Sequence, residues 1–199
     1  MAIKIGYMGI PFSNSEEAAF KFARSNNWTD YELLPLVSSE GVVKSLENGE
    51  SDFGVVASNN ISAGPVIETE LALKGKNNIE RFQTDVIHIH HCVFVKKKNI
   101  EIRTLASHVQ ALLQTKNTLE ELYPNTERLE VDDTALAAKM LSEGLLPESC
   151  AVICRKNAGE SYNLILAHEN IEDRKDNLTT FVLLRKKKEE DMFTNKNGN

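Results

Sequence analysis

The sequence predicts an α/β protein of two α/β lobes with a ligand cleft between them, and three observations support this fold class. Strand-like and helix-like segments alternate from the first residues onward. Residues 52–57 are apolar on both faces, which is typical of a strand buried in a parallel sheet. A second alternating half follows the first, and 199 residues are enough for two small lobes on one chain.

The first strand and helix predict a turn that can hold an anion. Residues 3–8 form an apolar run that ends at Gly9, which indicates a strand followed by a turn. Ser15 is the predicted N-cap of a helix that continues to Ser25. Because the free amides of a helix N-terminus attract negative charge, this strand–turn–helix unit favours a bound anion.

The rest of the first half continues the alternation. We predict strands at residues 32–37 and 52–57, and helices at residues 41–47 and 66–74. The strand at 52–57 opens into the polar residues 58–65. Polar side chains at the carboxyl end of a parallel strand mark the crevice in which such sheets bind ligands.

The second half begins with a long strand at residues 86–95, whose apolar residues alternate. Further elements follow it, namely helices at 107–122 and 134–142 and strands at 151–154, 163–167 and 179–184.

We place the lobe boundaries in the polar connecting stretches, with a crossover near residues 75–84 and a return near residues 170–177. Lobe 1 then comprises residues 1–78 and 171–184, and lobe 2 comprises residues 79–170. Residues 185–199 are charged with few apolar groups, so we expect a disordered tail.

The composition narrows the class of partner. A net charge of -6 and a pI of about 5.5 argue against nucleic acid, although backbone amides can still hold a small anionic substrate. The N-terminus does not resemble a signal peptide, and no apolar run is long enough to cross a membrane. We therefore expect a cytoplasmic protein without a membrane partner.

Histidines and cysteines raise the question of a metal site. His88, His90 and His91 lie beside Cys92, and the first two share a face of the predicted strand. No acidic or cysteine partner is spaced to complete a set of ligands, so we expect core residues and no metal. The three cysteines are an odd number in a long chain, which argues against a disulfide framework.

Five segments in order resemble the prephenate dehydratase family between about Lys4 and Leu184. The opening pattern is matched at Gly9, Ser13, Ser15, Ala18 and Ala19. The further matching segments are residues 42–56, 107–112, 134–138 and 162–166 with 177–181.

This resemblance implies a fold similar to type II periplasmic binding proteins and an enzyme that acts without a cofactor. The implied reaction converts prephenate to phenylpyruvate, water and carbon dioxide in phenylalanine biosynthesis. The resemblance covers the catalytic domain only, without the regulatory C-terminal ACT domain of the family, and it implies a possible homodimer.

The resemblance also assigns site residues. Thr179 is the candidate catalytic residue, because its hydroxyl can donate a hydrogen bond to the leaving hydroxyl group. The candidate substrate-binding residues are Ser13, Ser15, Asn60, Ser107, His108, Gln110, Thr134 and Phe181.

Two departures from the family pattern leave alternatives open. The family's Glu-Asn-Ser reads Asn59-Asn60-Ile61 here, and its Thr-Arg-Phe reads Thr179-Thr180-Phe181. Loss of the arginine removes a guanidinium that can grip a carboxylate with two hydrogen bonds. The alternatives are a prephenate decarboxylase that forms no aromatic ring, and an inactive module that binds or senses a small anion.

Overall fold

The computed structural model describes residues 2–187, which form two sheets with helices packed against them. The strands, in chain order, are β1 (Ile3–Tyr7), β2 (Tyr31–Pro35), β3 (Phe53–Asn60), β4 (Gly64–Pro65), β5 (Ile79–His88), β6 (Cys92–Val95), β7 (Thr104–Ser107), β8 (Glu127–Glu130), β9 (Cys150–Cys154), β10 (Ile165–His168) and β11 (Leu178–Lys186). The helices, in chain order, are α1 (Asn14–Ser25), α2 (Ser39–Asn48), α3 (Ile67–Leu73), α4 (Val109–Gln114), α5 (Lys116–Leu122), α6 (Thr134–Glu143) and α7 (Lys156–Ser161).

The first sheet has the order β2-β1-β3-β11-β5, and β4 pairs with β3. β1 is parallel to β2 and β3, whereas β11 is antiparallel to β3 and β5. Val55 and Val56 are fully buried in two different apolar clusters, one containing residues of α1 and the other residues of α2. β3 is therefore covered on both faces, as its apolar sequence predicts.

The second sheet has the order β10-β6-β9-β7-β8 and is built in the same way. Cys150 and Val152 of β9 pack in one cluster with residues of α6, while Ala151 and Ile153 pack in another with residues of α4. Every residue of β9 is buried, because helices cover both faces. The predicted α/β fold class with two lobes is confirmed.

The crossover between the sheets lies later in the chain than predicted. The predicted strand at 86–95 is two strands, since β5 belongs to the first sheet and β6 to the second. Residues 89–91 cross between them, and Ile89 N–H donates to the carbonyl of Asn177 on the returning segment at 2.8 Å. Residues 79–88 therefore extend the first sheet, and the predicted boundary at residue 78 and crossover at 75–84 are wrong.

The N-cap of helix α1 lies two residues before the predicted one. Ser13 is the N-cap, because its Oγ accepts a hydrogen bond from Glu16 N–H at 3.3 Å. Ser15 lies buried in the first turn. Phe12, with φ 70°, turns the chain directly before the cap, so the predicted N-cap at Ser15 is wrong.

The predicted helix at 107–122 is also different. Ser107 ends β7, and His108 caps α4 through Nδ1, which accepts from Gln110 N–H at 3.2 Å. The helix is interrupted at Thr115. The carboxylate of Asp173 then accepts hydrogen bonds from backbone amides in the first turn of α5. A carboxylate from a distant segment thus caps a second helix where the sequence predicts one.

The predicted tail begins too early. Arg185 and Lys186 belong to β11, and the Arg185 guanidinium lies 4.2 Å from the Phe82 ring centroid and 2.6 Å from Glu80. The remainder of the predicted tail, from residue 188 onward, lies outside the described residues. Across residues 2–187 the helices are all too short or too polar to span a bilayer.

Candidate functional site

A cleft of about 130 Å³ separates the two lobes. Its walls come from the carboxyl ends of β1 and β3, the first turns of α1, α4 and α6, the start of β11 and the crossing segment at 89–91. Carboxyl ends of strands and N-termini of helices therefore face the same space, which is the arrangement that favours a polar or anionic ligand.

Most of the predicted site residues meet in this cleft. The residues that line it are Ser13, Ser15, His108, Gln110, Thr134, Thr179 and Phe181. Ser13 and Ser15 come from one lobe and His108, Gln110 and Thr134 from the other, so a ligand in the cleft would be held from both sides.

Two of the predicted ligand-contacting residues lie behind the wall instead. Ser107 is fully buried, and its hydroxyl donates to the carbonyl of Ile153 at 2.6 Å, so it supports β7 and β9. Asn60 is 1% exposed and lies beneath Thr179. The structure therefore does not bring Ser107 or Asn60 to the cleft as contact residues.

Asn60 orients the hydroxyl of Thr179. Asn60 Nδ2 donates to Thr179 Oγ1 at 2.8 Å, while Asn60 Oδ1 accepts the amide hydrogens of Ser62 at 2.8 Å and Ala63 at 2.9 Å. Since backbone amides can only donate, the two ends of the Asn60 amide are fixed. The Thr179 oxygen accepts from Asn60, which leaves its own hydrogen free for the cleft.

Buried polar residues of the returning segment, of α4 and of the crossing segment continue this network. Asn177 Oδ1 accepts from Asn60 at 2.9 Å, and Asn177 Nδ2 lies 2.9 Å from Gln114 Oε1. Gln114 Oε1 also lies 2.7 Å from His91 Nε2. Gln114 and His91 line the cleft.

The sequence interpretation missed both of these residues. Gln114 stands in the middle of a predicted helix, where a glutamine usually faces solvent. His91 was interpreted as part of a core strand, but it lies in the buried part of the segment that crosses between the two sheets. Burial lowers the pKa of its imidazole below the ordinary value. No local pattern signals either residue, because their partners are distant in the sequence.

Asp133 is a further cleft residue that the sequence interpretation missed. It is the N-cap of α6, and its Oδ1 accepts from Ala135 N–H at 2.6 Å and Leu136 N–H at 3.1 Å. Burial raises the pKa of this carboxyl above its ordinary value. Its Oδ2 lies across from Gly9 of the other lobe, where a side chain would approach it to 3.0 Å.

The charged groups on the cleft wall are acidic. Glu68, Asp132 and Asp133 line it, and no lysine or arginine does so within residues 2–187. Arg155 lies nearby but is occupied, because its Nη1 donates to the carbonyl of Ser13 at 3.0 Å and its Nη2 lies 3.5 Å from Glu17. Arg155 thereby ties the second lobe to the start of α1.

Two of the residues that depart from the family pattern, Asn59 and Thr180, lie outside the cleft wall. Thr179 and Phe181 line the cleft, whereas Thr180 between them does not, as expected for alternating residues of a strand. Asn59 is exposed on β3 and also lies outside the wall.

The histidine–cysteine segment does not form a metal-binding group. His88 and His90 stack at 4.3 Å between ring centroids, and His90 Nδ1 lies 2.8 Å from Glu172. The part of the chain that the structure describes contains no group of three or more potential metal ligands. Cys92, Cys150 and Cys154 are buried free thiols.

Comparison with known proteins agrees with the motifs. Residues 5–189 match the family model described as prephenate dehydratase. A prephenate dehydratase of Methanocaldococcus jannaschii is 34% identical over 173 residues, which cover 87% of this chain and 61% of that protein. A prephenate dehydratase of Corynebacterium glutamicum is 27% identical, with 91% of this chain and 58% of that protein covered.

A plant protein shows a similar degree of sequence identity. Arogenate dehydratase 1 of Petunia hybrida is 30% identical over 186 residues, which cover 92% of this chain and 42% of that protein. The chain thus spans about half the length of the curated relatives that it matches.

Solved structures share the fold. A prephenate dehydratase of Arthrobacter aurescens, solved in complex with L-Phe, superposes with a TM-score of 0.79 at 20% identity, covering 94% of this chain and 61% of that chain. A protein described as a quorum quenching acylase gives 0.73 at 21% identity, with 93% and 64% covered. A methionine-binding lipoprotein of Bacillus subtilis, described as putative, gives 0.54 at 16% identity, with 98% and 87% covered. Proteins with different described activities thus share this two-lobed fold, so the fold alone does not give the function.

Proposed function

The chain belongs to the prephenate dehydratase family, and we propose that it converts prephenate to phenylpyruvate, water and carbon dioxide in phenylalanine biosynthesis. The observation that carries this proposal is the hydrogen bond from Asn60 Nδ2 to Thr179 Oγ1. It leaves Thr179 with one hydrogen to donate, and Thr179 lines the cleft.

The reaction needs orientation more than acid–base strength. The bond from the ring carbon to the hydroxyl oxygen breaks, and so does the bond from the ring to its carboxylate carbon. The electron pair of the second bond completes the aromatic ring, carbon dioxide leaves, and the departing oxygen becomes water when it takes a proton. Aromatisation supplies the driving force, so a donor placed at the departing oxygen and a fixed substrate are the main requirements.

In the proposal, Thr179 donates to the departing oxygen and stabilises the negative charge that develops there. Asn60 is a positioning residue, since it touches Thr179 and lies behind the wall. Ser13, Ser15 and Thr134 supply hydroxyl donors at the first turns of α1 and α6, where the helix dipoles also favour the substrate carboxylates.

The threonine at position 180 is compatible with this role. Thr180 does not line the cleft, so its side chain is not among the groups that would meet the substrate. The donors that do line the cleft are hydroxyls and amides rather than guanidinium groups.

Dehydration of arogenate is a second candidate, and the acidic groups of the cleft favour it. Glu68, Asp132 and Asp133 line the cleft without a lysine or arginine among the described lining residues. Arogenate carries an ammonium group where prephenate carries a keto group, so it offers these carboxylates a cation. Its dehydration would yield phenylalanine directly.

The test is turnover of each substrate by the purified protein at neutral pH. Phenylpyruvate is followed by its absorbance in alkali, phenylalanine by mass, and a sample without protein measures the spontaneous aromatisation of prephenate. Phenylpyruvate formation well above that control supports the first proposal, and faster conversion of arogenate supports the second. Prephenate consumption without an aromatic product would indicate a decarboxylase, and no consumption of either substrate would leave a binding module.

Assembly and location are also part of the proposal. By family resemblance we expect a homodimer in the cytoplasm. Light scattering after gel filtration tests the assembly, since it gives the mass in solution directly. A mass near the 22.3 kDa of one chain would contradict a dimer.

A further inference from the structure

A tight turn of the first lobe contains a residue that its backbone conformation does not favour. In the β-turn at residues 10–13 the amide of Ser13 donates to the carbonyl of Ile10 at 3.2 Å. Pro11 stands at the second position, and Phe12 at the third has a φ of 70°. A positive φ there is that of a type II turn, which suits proline at the second position but favours glycine or asparagine at the third. Phe12 therefore fits the turn poorly by local criteria.

The ring of Phe12 packs on the second lobe. It meets the ring of Tyr162, which follows α7, edge-on, with the centroids 5.7 Å apart and the planes at 86°. Ile10 and Phe12 also pack against the apolar cluster of the second lobe that includes Phe94 and Leu141. Edge-to-face aromatic pairing and the removal of apolar surface from water both stabilise this contact. The contact with the other lobe thus accounts for a bulky side chain at a strained position.

A charged group of the second lobe reaches the same turn. Arg155 Nη1 donates to the carbonyl of Ser13 at 3.0 Å, and its Nη2 lies 3.5 Å from Glu17. The Arg155 side chain is 20% exposed, so salt screens these contacts less than it screens those on an open surface. Within the first lobe, Glu16 Oε2 accepts from the amide of Phe12 at 2.8 Å. The turn is therefore fixed to its own lobe by a carboxylate and to the other lobe by a ring and a guanidinium group.

These contacts lie apart from the two segments that connect the lobes. The chain crosses between the sheets at residues 89–91 and returns through residues 170–177, and neither segment contains a residue of these contacts. Two lobes joined by such connections can open and close about them, and a contact elsewhere between the lobes resists opening. Ser13 also lines the cleft, so the same contacts hold part of one cleft wall against the other lobe.

We propose that residues 10–13 form a latch that holds the cleft closed through Phe12 and Arg155. Both contacts join protein to protein, so they favour the closed arrangement whatever small molecule occupies the cleft, and the inference goes beyond the proposed function without depending on it. Opening of the cleft breaks both contacts and exposes the ring of Phe12 to water. Phe12 and Arg155 are positioning residues, since neither is among the residues that line the cleft.

The test measures the distance between the lobes in the purified protein without added ligand. Lys44 of α2 and Lys139 of α6 are exposed helix residues, one in each lobe, and each can be replaced by cysteine to carry a spin label. Double electron–electron resonance then gives the distribution of distances between the two labels. The three native cysteines are buried and stay in place, and mass spectrometry confirms two labels per chain.

The test variant combines Phe12→Gly, a residue that suits the φ of 70°, with Arg155→Gln, which removes the charge. The matched control combines Asn27→Gly, at an exposed residue of the first lobe with φ 56°, with Arg103→Gln. The Arg103 side chain is 71% exposed and pairs with Glu101 inside the second lobe. Both pairs introduce one glycine and one glutamine, but only the first removes contacts between the lobes. Thermal melting shows that both variants fold.

We expect a single population of short distances in the wild type and in the control. Removal of both contacts should raise the ratio of open to closed molecules about 100-fold, which adds a population at longer distances. An unchanged distance distribution in the folded test variant would overturn the proposal. A wild-type protein in which the longer distances already predominate would overturn it too, as would an equal shift in the control. Because no ligand is added, the result does not depend on whether the protein converts prephenate.

Discussion

Asn60 and Thr179 are register partners on the antiparallel strands β3 and β11, and their side chains are joined by a 2.8 Å hydrogen bond from Nδ2 to Oγ1. Two backbone amides fix the orientation of Asn60, so the bond has one direction. The threonine hydroxyl is therefore prepared as a donor before any ligand arrives, and preorganised donors of this kind stabilise charge that develops during a reaction.

Reversing this bond predicts a loss of activity. Asn60→Asp keeps the oxygen that accepts from Ser62 and Ala63 but turns the donor into an acceptor, so Thr179 would donate to it and not to the substrate. We expect kcat to fall about 100-fold. The matched control is Asn59→Asp, the same change at an exposed neighbouring residue, which should retain activity. Equal activity of the two variants would show that the direction of the bond does not matter.

His91 predicts a pH dependence of stability. Burial lowers the pKa of its imidazole below 6.5, so the unfolded chain binds a proton at a pH where the folded protein does not. Its contribution to stability is fully present above about pH 6.5 and is lost as the pH falls, by up to about 1.4 kcal/mol per pH unit. Urea unfolding between about pH 5 and 7.5 measures this slope. It should be smaller in His91→Gln and unchanged in a variant of the exposed His168, His168→Gln.

Asp133 predicts the opposite pH trend. Burial raises the pKa of its carboxyl, so the folded protein retains a proton that the unfolded chain releases. Stability from this group is therefore present below about pH 3.8 and is lost as the pH rises through the folded pKa. Asn is an equally good N-cap, so Asp133→Asn should be more stable than the wild type at pH 7 and similar near pH 4. Asp132→Asn at the exposed neighbour is the control, and a matching gain there would contradict the assignment to Asp133.

We expect that the cleft has no room for a side chain at residue 9. A Cβ at this residue would lie 2.9 Å from Ser13 Oγ and 3.0 Å from Asp133 Oδ2, and its φ of 100° suits glycine. Gly9→Ala should therefore lower stability by more than about 1 kcal/mol and weaken substrate binding. Gly75→Ala, at φ 76° with no atom within 4 Å, carries the backbone strain without the crowding. Stability and prephenate affinity of the two variants separate the two effects, and equal affinities would show that Gly9 does not shape the cleft.

The sequence predicted the parts of the fold that depend on local pattern. The apolar residues of β3 and β9 indicated strands buried on both faces, and helices cover both of them. The crossover was missed because residues 89–91 contain no glycine, proline, asparagine or aspartate, the residues that usually mark a turn. Ile89 and His91 are each 3% exposed, so they are as buried as the core residues of the strands on either side.

Residues of the cleft wall were predicted where the family motifs contain them and were missed where long-range hydrogen bonds place them. Thr179 and Phe181 were found from the family pattern, and β-strand alternation brings both to the wall. Gln114 was not found, because its role depends on Asn177, whose amide meets it 63 residues later in the chain. Asn60 was assigned to the ligand, yet the register of β3 and β11 places it behind Thr179.

The most direct test of the account compares two neighbouring threonines of β11. Thr179→Val and Thr180→Val each replace a hydroxyl by a methyl group, but only Thr179 lines the cleft. The measurement is kcat/KM for phenylpyruvate formation from prephenate at neutral pH, above the rate without protein. We predict a loss of about 100-fold or more in Thr179→Val and wild-type activity in Thr180→Val. Full activity of folded Thr179→Val would contradict the claim that its hydroxyl assists departure of the substrate oxygen.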